Sequence, residues 1–196
     1  MSGAARRAVP AATLALVSWP VIARAHAGGD VAGGFLTGFL HPLGGLDHVV
    51  AMVGVGLWGA QLGNPAIWIL PVTFPLVMAV GGMLGIRGVP IPAPEVGIAL
   101  SGIVLGGMIA FAVRAPLGIA AVLVGAFAIF HGHAHGTELP ASATPLAYSA
   151  GFVVSTGLLH AAGIAIGALI YWRTGTRVVR ACGAVIAACG LWFLFA

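Results

Sequence analysis

Charged residues are scarce in this chain of 196 amino acids. They make up 6% of the sequence, with four acidic residues and no lysine, whereas soluble domains carry about 25%. Hydrophobic residues make up 60%. These proportions exclude an ordinary soluble domain and predict an all-α fold, a polytopic bundle of membrane helices.

Other classes of protein are excluded by what is missing. The net charge of +4 comes from arginines that form no basic run, so we do not expect nucleic-acid binding. No glycine-rich phosphate loop ending in Lys-Ser or Lys-Thr is present, so the chain cannot hydrolyse ATP in that way. The two cysteines, Cys182 and Cys189, are seven residues apart. On one helix that spacing is about 10 Å, too far for a disulfide.

The first 25 residues resemble a secretory signal peptide. Arg6 and Arg7 precede an apolar stretch, and Ala23 and Ala25 form the small-x-small pattern of a cleavage site. Cleavage after Ala25 leaves His26 at the new N-terminus. An uncleaved anchor and twin-arginine export are the alternatives. We therefore expect a signal peptide over residues 1–25 and a single six-helix domain over residues 26–196.

Six apolar stretches in the mature chain are each long enough to cross a bilayer. They lie at about 31–60, 66–85, 95–113, 116–136, 145–172 and 177–196. With the N-terminus outside, the inner loops contain Arg114, Arg173 and Arg177, and the outer loops contain only Arg87. The positive-inside rule favours that orientation. It predicts an inner-membrane protein with both mature termini in the periplasm.

The first span contains the string His41-Pro-Leu-Gly-Gly-Leu-Asp47-His48. Ionisable groups at membrane depth are costly and usually functional. Pro42, Gly44 and Gly45 are poor helix residues, so we predict a break that brings these side chains to one ion. A kinked helix whose polar groups bond to neighbours is the alternative.

A second cluster ends the fourth span, in the string Phe130-His131-Gly-His133-Ala-His135-Gly-Thr-Glu138. His131 and His135 have the i, i+4 spacing by which two histidines on one helix chelate a metal. Glu138 follows on the same face, and His133 points about 200° away as an outer-shell or mouth ligand. The alternative is a solvated, histidine-rich helix end.

Two further histidines are weaker candidates. His160 lies in the fifth span, with Ser155 and Thr156 one turn earlier. One interpretation is that His160 binds or relays the metal, with Thr156 bonded to a ligand rather than to the ion. The alternative is that His160 is a packed residue with a hydrogen bond to a neighbour. A new N-terminus at His26 would offer an amine and an imidazole for metal capture, although the residue is equally explained as a neighbour of the cleavage site.

The combined ligand set is imidazole and carboxylate, which suits Ni²⁺, Co²⁺, Zn²⁺ or Fe²⁺. Thiolates are absent from the clusters, which argues against Cu(I). Mg²⁺ and Ca²⁺ prefer oxygen ligands. The donor atoms do not separate nickel from cobalt or zinc.

At these residues the sequence resembles the HupE/UreJ family of nickel and cobalt permeases. The strings from His41 to His48 and from Phe130 to Glu138 carry the resemblance, which extends over nearly the whole chain. It implies a nickel, or cobalt, permease that supplies hydrogenase or urease assembly. The family's motif residues are then His41, Asp47, His48, His131, His135 and Glu138.

The resemblance implies an ion as transported substrate, with no permanently bound cofactor and no enzymatic activity. Histidine binds metal when neutral, and its usual pKa is about 6.5, so transport is expected to fall in acid. The alternatives are a membrane-embedded zinc hydrolase and a metal sensor or buffer without flux. The expected partners are the metal ion and lipid, not nucleic acid, and a homo-oligomer is left open.

Overall fold

A computed structural model describes residues 31–138 and 144–196 of the chain. Within those ranges it is all-helical, as expected, with no strand. The helices are α1 Val31–Gly44, α2 Leu46–Leu62, α3 Ala66–Ile86, α4 Pro94–Ala110, α5 Leu117–Thr137, α6 Pro145–Gly167, a 3₁₀ helix Ala168–Tyr171, and α7 Gly175–Phe195. The predicted signal peptide and His26 lie outside the described residues.

The first apolar stretch is broken, as its composition predicts. Helices α1 and α2 meet at Gly45 with a bend of 84°, and Gly45 has extended backbone angles (φ −107°, ψ 113°). Pro42, inside α1, lacks the N–H that would bond back along the helix. A methyl group at Gly45 would lie 2.7 Å from the Asp47 Oδ1 atom and 2.8 Å from the His48 Nδ1 atom. The missing side chain therefore leaves room for both functional groups at the break.

The expectation of six spans is met only in part. By length and composition, four helical segments within the described ranges qualify as membrane spans: Ala66–Ile86, Leu117–Thr137, Leu146–Tyr171 and Gly175–Phe195. The bent pair α1–α2 makes a fifth if it is counted as one span. Helix α4 has 17 residues, fewer than its apolar stretch suggested. It ends at Ala110 because the backbone turns there, with a positive φ of 54° at Ala112.

Glycines on the helix faces allow close packing. Helix α5 lies parallel to α3, with Gly132 against the Met78 carbonyl. Helix α7 lies antiparallel to α4, with Gly190 against Gly102. Helices α1 and α2 both pack along α6, and there Gly56 lies against the carbonyl of His160.

Helix α2 is the centre of the bundle. Ten of its 17 residues are buried, and Trp58 and Met52 are among the largest fully buried side chains. The outer helices instead expose apolar side chains such as Leu76, Val122 and Val185. Exposed apolar faces around a buried central helix are typical of a bundle that faces lipid. The break lies at the less buried end of α2, where Leu46 is 66% exposed and the side chains of Asp47 and His48 are partly buried.

Candidate metal site

The two predicted motifs meet at the break between α1 and α2. His41 is in the last turn of α1, and Asp47 and His48 begin α2. The His135 ring of α5 lies against both histidines, with centroids 4.8 Å from His41 and 4.3 Å from His48. The His131 ring, one turn earlier on α5, is 5.2 Å from His48. Side chains that are distant in sequence thus form one continuous cluster.

The mouth group consists of His41, His135 and Glu138. Each offers one ligand atom, and these atoms all lie within 4.8 Å of one another. The His41 Nε2 atom is 3.5 Å from the Glu138 Oε2 atom. The Glu138 side chain is 62% exposed and the His41 side chain 25%, whereas His135 is buried. The group therefore runs from the surface into the bundle.

The middle group consists of Asp47, His48 and His131. The His48 Nδ1–H donates to the Asp47 carboxylate at 2.8 Å, and the same Oδ1 atom accepts from the His48 backbone N–H at 2.9 Å. His131 is fully buried and packs on the ring of Phe74, with centroids 5.4 Å apart. It lies about 6 Å farther from the end of α5 than His135, by one helical turn. His131 thus lies deeper than the mouth group, whereas the Asp47 side chain is 31% exposed.

The structure groups the predicted ligand residues differently from the grouping that their spacing in the sequence predicts. His135 is grouped with His41 and Glu138, while His131 faces His48 and Phe74. His135 also lies against His48, with ring centroids 4.3 Å apart, so it connects the mouth group to the middle group. Each group takes side chains from both motifs.

Three histidines share one hydrogen-bonding arrangement. His48, His131 and His160 each donate from Nδ1–H to an oxygen. The acceptors are the Asp47 carboxylate, the Phe127 carbonyl at 3.0 Å and the Met52 carbonyl at 2.7 Å. In each, the buried Nε2 atom has no hydrogen-bond partner among the described residues. Metal-binding histidines generally donate their second ring N–H to such an acceptor, which orients the free nitrogen.

His133 and His160 lie away from these contacts. The His133 Nε2–H donates to the Val89 carbonyl at 2.8 Å, which ties α5 to the loop after α3. His160 is buried in α6, and its ring centroid is 5.5 Å from that of Phe74. Phe74 therefore lies between His131 and His160. Ser155 and Thr156 are also buried, and their hydroxyls have no partner among the described residues.

Aromatic residues complete the walls of the site, and the motifs did not predict them. The Phe152 ring is 4.5 Å from that of His135, and the Tyr148 ring is 5.8 Å from that of His41. The signal that could have found them is the spacing of four residues that places Tyr148, Phe152, Thr156 and His160 on one face of α6. Phe74 gave no such signal, because it resembles any apolar residue of a span.

A cavity of about 260 Å³ reaches the mouth group from the side. His135, Tyr148 and Phe152 line its inner end, and the exposed residues Met83 and Val153 line its outer end. The lining is mainly apolar.

Cys182 and Cys189 are both free on α7, as their spacing predicted.

Comparison with known proteins gives one family and one close relative. The family model described as "HupE / UreJ protein" matches residues 14–193. The chain is 46% identical over 178 residues to "Protein HupE" of Rhizobium leguminosarum bv. viciae, which covers 91% of this chain and 93% of that protein. No solved structure matches the chain.

Proposed function

The chain belongs to the HupE/UreJ family, and we propose that it is a membrane permease for a divalent transition-metal cation, nickel first and cobalt second. The observation that carries the proposal is the mouth group. His41 of the first motif and His135 and Glu138 of the second offer ligand atoms within 4.8 Å of one another. A cation fits that set, because two imidazole nitrogens that both carry lone pairs cannot form a hydrogen bond with each other.

The donor atoms agree with nickel or cobalt. Imidazole nitrogen with carboxylate oxygen is a borderline ligand set that suits Ni²⁺ and Co²⁺, and also Zn²⁺ and Fe²⁺. We place nickel first because of the resemblance of the motif strings to nickel and cobalt permeases. The same resemblance leads us to propose hydrogenase or urease assembly as the destination of the metal.

The order of the groups suggests a direction of movement. An ion from outside meets the exposed Glu138 first, then His41 and His135, and passes to Asp47, His48 and His131. His135 contacts both His41 and His48, so ligands can be exchanged one at a time. A membrane potential of 100 mV favours entry of two positive charges by about 4.6 kcal/mol.

We further propose six spans in the inner membrane, with both mature termini on the periplasmic side. Helix α4 is then the shortest span, at about 26 Å for its 17 residues. The loop before α5 contains Arg114, and the segment around the start of α7 contains Arg173, Arg177 and Arg180. These arginines would face the cytoplasm, as the positive-inside rule requires. His133 would brace the mouth through Val89, and His26 would assist capture.

The test is the nickel content of cells that lack other nickel importers. The cells express the wild type, His48→Ala, Ser101→Ala or an empty vector, at matched membrane levels. Ser101 is a buried polar residue of α4 that bonds to the Ile98 carbonyl and lies outside the metal groups, so it controls for the loss of a buried hydrogen bond. We expect nickel accumulation with the wild type and Ser101→Ala, and background levels with His48→Ala.

Equal nickel in all four strains would overturn nickel uptake. Cobalt and zinc measured in the same samples show whether another metal moves instead. Metal that binds the purified protein in fixed proportion, without any flux, would favour the zinc hydrolase or the sensor over the permease.

A further inference from the structure

His160 and Thr156 form a buried polar pair in the middle of α6. They are one helical turn apart, on the same face, and they are 2% and 0% exposed. The His160 Nε2 atom and the Thr156 hydroxyl both lack a hydrogen-bond partner among the described residues. Unsatisfied polar atoms inside a membrane bundle are costly, so the pair requires an explanation that packing alone does not give.

The His160 ring is oriented for binding. Its Nδ1–H donates to the Met52 carbonyl of α2 at 2.7 Å, which leaves the lone pair on Nε2. This is the arrangement found for His48 and His131 in the middle group. The position is also sterically fixed, because Gly56 of α2 packs against the backbone carbonyl of His160.

Thr156 is unusual for a threonine inside a helix. Such hydroxyls commonly bond to the backbone carbonyl one turn earlier, but that of Thr156 has no partner among the described residues. Its oxygen is therefore free to bind a cation or a cation's water. With His160 Nε2 it offers one nitrogen and one oxygen.

The pair lies on the continuation of the route from the mouth. Tyr148, Phe152, Thr156 and His160 succeed one another at four-residue steps on α6, all buried. Tyr148 and Phe152 contact His41, and His160 lies 12 residues beyond Tyr148, or about 18 Å along the helix. The Phe74 ring contacts both His131 and His160.

The geometry points to a second, inner cation site at His160 and Thr156, separated from the middle group by Phe74 and occupied in transit by the same borderline divalent cation. This inference rests on the proposed permease function and deepens it. Water supplies the remaining ligands, so the ion is held by fewer protein atoms than at the mouth. Weak holding suits a site from which the ion must leave.

The first test compares uptake kinetics of His160→Asn with the wild type and Ser101→Ala. The asparagine amide can still donate to the Met52 carbonyl, but it places no atom at the Nε2 position. We expect the maximal rate of nickel uptake to fall about 10- to 100-fold, because the inner step loses its ligand. The external concentration giving half the maximal rate should stay within about twofold, because the mouth group is intact.

Two results of this test would overturn the inner site. One is a maximal rate equal to that of the wild type. The other is a change confined to the half-saturating concentration, which would assign His160 to capture at the mouth. A wild type without any uptake would instead overturn the permease function.

The second test reads occupancy without transport. The purified Thr156→Cys protein is loaded with Co²⁺, and the near-ultraviolet thiolate-to-cobalt charge-transfer absorption is recorded. The unsubstituted protein, with Cys182 and Cys189, provides the baseline. We expect the band in Thr156→Cys and its loss in the double variant Thr156→Cys/His160→Asn. No band in Thr156→Cys, or an equal band in both variants, would show that His160 and Thr156 do not hold an ion together.

Discussion

The Nε2 atom of His41 lies 3.5 Å from the Oε2 atom of Glu138, which joins the end of α1 to the residue that follows α5. Among the residues that the structure describes, no backbone hydrogen bond links these two helices. Their proximity depends on the packing of α1 against α6 and of α5 against α3. The contact brings the two motifs together at the surface of the bundle.

His135→Gln is predicted to abolish uptake. His135 contacts both His41 and His48, so its loss removes a mouth ligand and the step to the middle group. Nickel affinity of the purified protein should fall about 10- to 100-fold, measured by equilibrium dialysis with Ser101→Ala as control. Wild-type affinity in His135→Gln would contradict the assignment.

Glu138→Gln should weaken capture more than passage. The carboxylate is 62% exposed, so it attracts cations from solution before they lose water. The half-saturating nickel concentration should rise several-fold with a smaller change in maximal rate, and the dependence of uptake on salt should decrease. Glu138→Asp keeps the charge and serves as the matched variant; equal kinetics for Glu138→Gln and the wild type would remove Glu138 from the mouth group.

Gly45→Ala should eliminate uptake while Gly44→Ala should not. A methyl group at position 45 would meet Asp47 Oδ1 at 2.7 Å and His48 Nδ1 at 2.8 Å, whereas at position 44 it meets nothing within 4 Å. The side chains of the middle group must shift in the first variant only. Uptake at matched membrane levels measures the difference, and two variants with equal uptake would refute the steric role of Gly45.

Gly132→Ala should destabilise the bundle, and Gly125→Ala on the same helix should not. The added methyl at position 132 collides with the Met78 backbone carbonyl, while at position 125 it makes ordinary contacts of 3.7 to 3.9 Å with side chains. Overpacking of this kind costs about 1–3 kcal/mol. Thermal unfolding in detergent should show a lower midpoint for Gly132→Ala alone; the same midpoint for both variants would argue against tight packing of α3 and α5.

Part of this architecture could be predicted from the sequence because it depends on local chemistry. Pro42 and Gly45 predict the break, and the apolar stretches predict most of the helices. The division of His131 and His135 between two groups depends on which helix lies beside α5. That is decided by how the helices pack against one another, which cannot be predicted from the spacing of residues along one helix.

The residues that escaped prediction are apolar or aromatic. Phe74 and Phe152 contact the histidines, but in composition they resemble the other large residues of the spans. Phe152 could have been found only through the repeated four-residue spacing that leads to His160 on α6, and Phe74 is distinguished only by its position in the folded bundle. The early end of α4 was not predicted for a related reason. The positive φ lies at Ala112, and in the sequence this alanine simply continues the apolar stretch.

The lateral cavity has a consequence for the environment in which the protein works. Its mainly apolar walls run from the exposed Val153 and Met83 to His135, so one side of the mouth group opens toward the apolar outer face of the bundle. In the membrane permease that we propose, acyl chains at that opening would form part of the dielectric around the ion. The thickness and unsaturation of the surrounding lipids would then affect the rate of the proposed transport, alongside the protein's own side chains.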